Sequence, residues 1–92
     1  MFEIQDKVIV ITGATGALGG ALALSLAKAK AQLVILGRNQ ELLDELASKL
    51  NIFTVVKTYI VNVMDRIDLI RVREEMKSHF DRIDVLINAV GG

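Results

Sequence analysis

An α/β fold, built as a doubly wound parallel sheet with helices on both faces, is what this sequence predicts, and three observations predict it. Short β-branched runs alternate with stretches of helical periodicity in the order βαβαβαβ. The first run leads straight into a glycine-rich turn. No Pro, repeat or linker-like segment interrupts the alternation over 92 residues. Such alternation implies parallel strands joined by covering helices. Right-handed crossovers then restrict the topology. The natural solution is the spatial strand order 3-2-1-4, with the first two helices on one face and the third on the other.

Each element has its own signal. Val8-Ile9-Val10-Ile11 is a continuous β-branched run, as expected of a strand buried on both faces. After the turn from Gly13 to Gly19, Leu18, Leu22 and Leu26 recur every four residues and predict the buried face of a helix. Lys28 and Lys30 fall near its C-terminal end, where cations are favoured. Leu33-Val34-Ile35-Leu36 is the second strand. Asn39 is placed to cap a second helix, with Glu41 in the first turn and Leu42, Leu43, Leu46 and Leu50 as its buried stripe. Thr54 to Val61 reads as a third strand. Asp65 caps a third helix, with Asp68 in its first turn and Leu69, Val72, Met76 and Phe80 facing inward. Val85-Leu86-Ile87 is the fourth strand and runs into Asn88. In this arrangement the fourth strand is a bare apolar edge, which is the physical reason to expect an incomplete sheet.

Composition removes several functions. Lys plus Arg and Asp plus Glu balance at 11 each, so no strong field draws nucleic acid or an anionic membrane. Arg66, Arg71, Arg73, Lys77 and Arg82 alternate with Asp65, Asp68, Glu74 and Glu75, as on a solvated helix face. There is no Cys, and His79 is the single His, which argues against a structural zinc site. His79 itself suits a surface or capping role near a helix end. The uncharged stretch Val8 to Ala27 is broken by glycines and threonines and does not read as a membrane span. Met1 to Asp6 holds Glu3 and Asp6 and no basic residue, unlike a secretory signal. The expectation is a cytoplasmic protein. A mean hydropathy of +0.45 is high for so small a domain and suits a piece of a larger core.

The turn Thr12-Gly13-Ala14-Thr15-Gly16-Ala17-Leu18-Gly19 joins a buried strand to a helix. Glycines there allow a tight turn and close approach of backbone to a pyrophosphate, while the helix start supplies N–H groups and partial positive charge. A triphosphatase loop would need Gly-Lys and then Ser or Thr at this point, and the first Lys after Gly13 is Lys28. About 20 residues past such glycines an acid usually binds the ribose hydroxyls. Here the second strand ends in Gly37-Arg38-Asn39. A guanidinium fits a phosphate in a forked geometry, so NADP(H) is expected over NAD(H).

With these motifs in place, the chain resembles the short-chain dehydrogenase/reductase family along its whole length. The resemblance is carried by the glycine turn, Gly37-Arg38-Asn39, Asn62-Val63-Met64-Asp65 and the run from Phe80 to Asn88. It implies a Rossmann-type fold in which Gly13, Thr15, Gly16, Ala17, Leu18 and Gly19 surround the pyrophosphate. It implies that Arg38 and Asn39 take the 2′-phosphate and that Asn62 and the backbone of Val63 meet the adenine. Asn88, Ala89, Val90 and Gly91 would line the ribose and nicotinamide side. Three departures stand out. The glycines are spaced Gly-x-x-Gly-x-x-Gly, with Ala17 at the family's usual middle glycine, a spacing known from its longer-chain branch and some sugar-acid reductases. The usual Asn-Asn-Ala-Gly reads Asn88-Ala89-Val90-Gly91. The usual adenine-contacting Asp is Asn62, which still offers a carbonyl acceptor. Asp81 stands where the family often has a helix-ending Gly, and no functional account attaches to that.

The family's catalytic Tyr, followed four residues later by Lys, is not found. The sole Tyr is Tyr59, its fourth follower is Val63, and it sits in a strand pattern. Ser25, Ser48 and Ser78 fall in helices. No catalytic residue and no metal ligand is nominated. Residues 1–92 are therefore expected to be the dinucleotide-binding portion of an NADP(H)-dependent reductase whose catalytic half lies outside this chain. The whole protein would interconvert a small-molecule carbonyl and a secondary alcohol, as a homo-oligomer. The competing expectations are a non-enzymatic dinucleotide-binding module, a split-protein subunit, or a truncated product that associates through its open edge.

Overall fold

A computed structural model of the chain describes residues 4–89. Four strands and three helices alternate: β1 (Val8–Thr12), α1 (Ala17–Lys28), β2 (Gln32–Gly37), α2 (Gln40–Leu50), β3 (Val56–Ile60), α3 (Arg66–His79) and β4 (Val85–Asn88). The sheet order is β3-β2-β1-β4 and every pairing is parallel, as the sequence predicts.

Alternation along the two central strands explains the two-layer core. Ile9, Ile11, Leu33 and Ile35 face α1 and α2, where Ala23, Ala27, Leu43, Ala47 and Leu50 meet them. Val8, Val10, Val34 and Leu36 face the other way, toward Val72 and Met76 of α3. Full burial of one such aliphatic side chain contributes about 1.5–3 kcal/mol. Both faces of β1 and β2 are therefore committed to core, which is why their runs carry no polar alternation.

The helices differ from expectation in which residues they bury. Leu18 is 74% exposed, and the buried face of α1 is Gly19, Ala23 and Ala27. Small residues let the helix axis approach the sheet, so the leucines sit at its flanks. Likewise Leu42 is 47% exposed while Leu43, Ala47 and Leu50 are buried, and Leu46 is only partly covered. On α3, Val72 and Met76 are buried, Leu69 is 37% exposed, and Phe80 lies just past the helix, partly buried against the same cluster. β3 is shorter than predicted at both ends, and Thr54, before it, donates its hydroxyl to the carbonyl of Ala31. At β4, Val85 and Leu86 are exposed.

The end of the sheet away from the glycine turn is closed by Asp84. Its Oδ2 accepts from Val8 N–H at 2.8 Å, and its own N–H donates to the Val8 carbonyl at 2.9 Å. Arg82 Nε donates to Oδ1 at 3.0 Å. The Val8 N–H holds the carboxyl below its ordinary value of 3.8, against desolvation, with help from Arg82 and Lys7. A depressed folded-state value means a contribution fully present above the unfolded value and lost as pH falls through the folded one. Asp84→Asn is expected to lower stability near neutral pH and to flatten its decline below about pH 4. Urea melts across that range check this. An acid limb as steep as in the unaltered chain would exclude Asp84 as its source.

Candidate functional site

Parallel pairing aligns the C-terminal ends of the strands. Thr12 lies beside Leu36 on one side and Asn88 on the other, and Gly37 lies beside Ile60. The residues that follow these ends, Gly13, Arg38 and Val61, emerge at one edge of the sheet. Strand order reverses between β1 and β4, and such a switch point is where open α/β sheets bind ligands.

The glycine turn is built for close approach. Gly13 adopts φ 73°, in the left-handed region that disfavours a side chain. A Cβ on Gly19 would stand 2.3 Å from the Gly13 carbonyl oxygen and 2.9 Å from Ala14 Cα, so only glycine lets α1 start against the turn. Gly16 is the extended N-cap of α1 and supplies no side-chain cap, and the first turn contains no acid. The first α-helical bond runs from Gly20 N–H to the Gly16 carbonyl at 2.8 Å. The N–H groups of Ala17, Leu18 and Gly19 thus lack intrahelical acceptors and face out of the helix start. Thr15, Gly16 and Ala17 also wall a cleft of about 350 Å³ that continues between α1 and α2, past Leu42 and Glu45.

At the end of β2, Asn39 caps α2 as predicted, its Oδ1 accepting from Leu42 N–H at 3.1 Å. That bond uses the oxygen, and the amide nitrogen remains a donor. Arg38 is exposed beside Asn39, Gln40 and Glu41, which share a shallow concavity, and it forms no ion pair with the described residues. Gly37 packs under α2, where a Cβ would come within 3.2 Å of Leu43.

Beyond β3, Asn62 Oδ1 accepts from Met64 N–H at 3.0 Å and the Asn62 carbonyl accepts from Asp65 N–H at 2.9 Å. A carbonyl oxygen has two lone pairs, so one at Oδ1 remains. Asp65 caps α3 by accepting from Ile67 and Asp68 N–H groups. Asp68 reaches back to accept from Asn62 N–H at 2.7 Å. That bond, and then the Arg71 guanidinium, hold its carboxyl below the usual range. Arg71 belongs to the helix face expected to be merely solvated, yet it also donates to the Ile60 carbonyl at 3.0 Å. Only its helical spacing from Asp68 and Glu75 was visible in the sequence.

At β4, Thr12 Oγ1 donates to Asn88 Oδ1 at 2.9 Å and Ala89 N–H donates to the Thr12 carbonyl at 2.9 Å, tying the ends of β1 and β4 together. The remaining predicted positions, Val90 and Gly91, lie outside the described residues. Tyr59 is buried on the α3 side of the sheet, and its hydroxyl has no partner among the described residues. Burial, with Glu75 adding to it, pushes its phenol up. Among the described residues no group of three or more His, Cys, Asp or Glu side chains could hold a metal ion, and no helix is long and apolar enough to cross a membrane.

Comparison with known proteins returns the same family that the motifs indicate. Residues 7–92 match the family model described as short chain dehydrogenase. An uncharacterized oxidoreductase of Staphylococcus saprophyticus is 38% identical over 93 aligned residues, covering 99% of this chain and 40% of that protein. A candidate D-mannonate oxidoreductase from Haemophilus influenzae, solved with bound NAD, superposes with a TM-score of 0.89 at 36% identity, covering 98% of this chain and 32% of that one. The L-sorbose reductase of Gluconobacter frateurii, solved with NADPH and L-sorbose, gives a TM-score of 0.89 at 34% identity, covering 97% of this chain and 35% of that one. The chain therefore spans about two fifths of its curated relative's length.

Proposed function

This chain belongs to the short-chain dehydrogenase family, and from that membership we propose that it holds the dinucleotide of an NADP(H)-dependent oxidoreductase acting on a small-molecule carbonyl or secondary alcohol. The observation that carries the cofactor reading is Arg38 at the end of β2, exposed and without an ion pair among the described residues, where an acid would select NAD(H). Relatives of this fold include one solved with NAD and one with NADPH, so the choice rests on the residues of this chain.

The residues fit a dinucleotide. The start of α1 offers uncapped N–H groups, a backbone with no Cβ at Gly13, Gly16 and Gly19, and no acid in its first turn to repel a pyrophosphate. Arg38 and the Asn39 amide nitrogen are donors for a 2′-phosphate. Asn62 and Val63 face the adenine end, and Asn88 and Ala89 the nicotinamide end. When bound, the dinucleotide supplies or accepts hydride. This chain's part is to bind and orient it. The proton of the carbonyl–alcohol exchange is moved by residues that the family carries in its second half. Sugar and sugar-acid substrates agree with the names of two similar proteins, a candidate D-mannonate oxidoreductase and an L-sorbose reductase.

Calorimetric titration of the chain with NADPH and NADH tests the reading. Tighter binding of NADPH by about ten-fold or more is expected from one charge-assisted phosphate contact. Equal affinities would return the cofactor to NAD(H). The same chain is expected to show no turnover by itself.

A further inference from the structure

We infer that Asp68, gripped by Arg71, is a positioning residue that fixes the turn at Asn62 and Val63 for recognition of the adenine base. The inference rests on the dinucleotide reading and adds to it the device that gives the adenine end its selectivity.

The connections run in one direction, from helix to turn. Arg71 Nε and Nη2 both donate to Asp68 Oδ1, at 3.0 and 2.8 Å. Nη2 also donates to the carbonyl of Ile60, the last residue of β3, and Nη1 donates to Glu75 at 3.1 Å. Arg71 is thereby referenced to the sheet as well as to its own helix. The other oxygen of Asp68 accepts the Asn62 N–H at 2.7 Å. Within the turn, Asn62 Oδ1 holds Met64 N–H and the Asn62 carbonyl holds Asp65 N–H. Among the described residues the Val63 N–H donates to no acceptor, although its side chain is packed against the core beneath α3. One N–H donor at Val63 and one remaining lone pair on Asn62 Oδ1 thus belong to adjacent residues of the turn. Adenine presents the complement, an exocyclic amine beside an acceptor ring nitrogen. Hypoxanthine reverses both, with a carbonyl and a ring N–H.

A carboxylate in the first turn of a helix is favourable for the helix alone. A purely structural Asp68 would therefore change stability without changing base preference. The two roles separate in a comparison of NADPH with its hypoxanthine counterpart, reduced nicotinamide hypoxanthine dinucleotide phosphate. Affinities for both are measured calorimetrically on the unaltered chain, Asp68→Ala, Asp68→Asn and Arg71→Met, with thermal melts on each. The unaltered chain is expected to prefer NADPH. Asp68→Ala is expected to reduce that preference about ten-fold, mainly through weaker NADPH binding, as for loss of one positioned hydrogen bond. Asp68→Asn keeps an acceptor for Asn62 N–H but turns an NH2 toward the Arg71 donors, and is expected to recover only part of the preference. If Asp68→Ala does not fold, Arg71→Met carries the test, with the preference expected to fall about three-fold. An unchanged preference in the folded variants, or an equal loss for both dinucleotides, overturns the positioning role while leaving the dinucleotide reading intact. Failure of the unaltered chain to bind either compound overturns both.

Discussion

Gly19→Ala is expected to destroy most of the dinucleotide affinity and to destabilise the chain, although alanine is the better helix former. In an exposed helix interior the exchange would gain about 1 kcal/mol. At Gly19 the new methyl would enter backbone, 2.3 Å from the Gly13 carbonyl oxygen and 2.9 Å from Ala14 Cα. Neither atom belongs to a side chain that could rotate away. Relief requires α1 to back off the turn or the turn to move, and overpacking of this kind costs about 1–3 kcal/mol, occasionally more. Either movement misplaces the N–H groups at the start of α1, so affinity for NADPH should fall at least about ten-fold. Gly20→Ala, one residue on, is the control. Its nearest obstacle is the Ala14 carbonyl at 3.4 Å, an ordinary contact, so helix propensity should decide and stability should hold or rise. Denaturant melts and NADPH titrations of the two variants compare them directly. Similar behaviour of both would mean that the approach of α1 to the turn does not set the site.

That contrast also shows what was legible in the sequence. The strand order followed from alternation and crossover handedness, and the caps at Asn39 and Asp65 followed from residue type and position. The buried helix faces did not follow as directly. In α1, leucines and small residues both repeat every four positions, one place apart, and periodicity alone does not say which set faces the sheet. Counting hydrophobic size favours Leu18. Close packing against a flat sheet favours Gly19, Ala23 and Ala27, and that requirement prevails. Leu42 and Leu69 are exposed although Leu43 and Val72 beside the same stripes are buried, because each helix presents a narrower strip than the residues could fill. The Asp68 and Arg71 pair was hidden differently. Its helical spacing is that of any surface ion pair, and such pairs contribute little. Its second set of bonds, to Asn62 and Ile60, depends on how α3 enters from β3, which no local pattern encodes.

Arg38→Asp is expected to invert the cofactor preference. In the unaltered chain the guanidinium has no carboxylate partner among the described residues, even though Glu41 shares its concavity, so its donors are available to a 2′-phosphate. A charge-assisted bond of this kind contributes about 1.5–3 kcal/mol, one to two decades of preference for NADPH. Aspartate removes that contribution and adds repulsion toward the phosphate. It also restores an acceptor for ribose hydroxyls, which only the unphosphorylated ribose offers in full. The two effects act in the same direction on the ratio, so the ratio of NADPH to NADH affinity should change by more than the loss of Arg38 alone would cause. Arg38→Ala separates them, because it lacks both the attraction and the acceptor and should bring the two affinities close together. Since the site is exposed, added salt should weaken NADPH binding to the unaltered chain more than NADH binding. A ratio that stays fixed across the unaltered chain, Arg38→Ala and Arg38→Asp, measured at one ionic strength, would place the 2′-position away from this strand end. Asn39 offers only one neutral amide there and could not by itself sustain a preference of that size, so only a fixed ratio near one would reassign the cofactor to NAD(H).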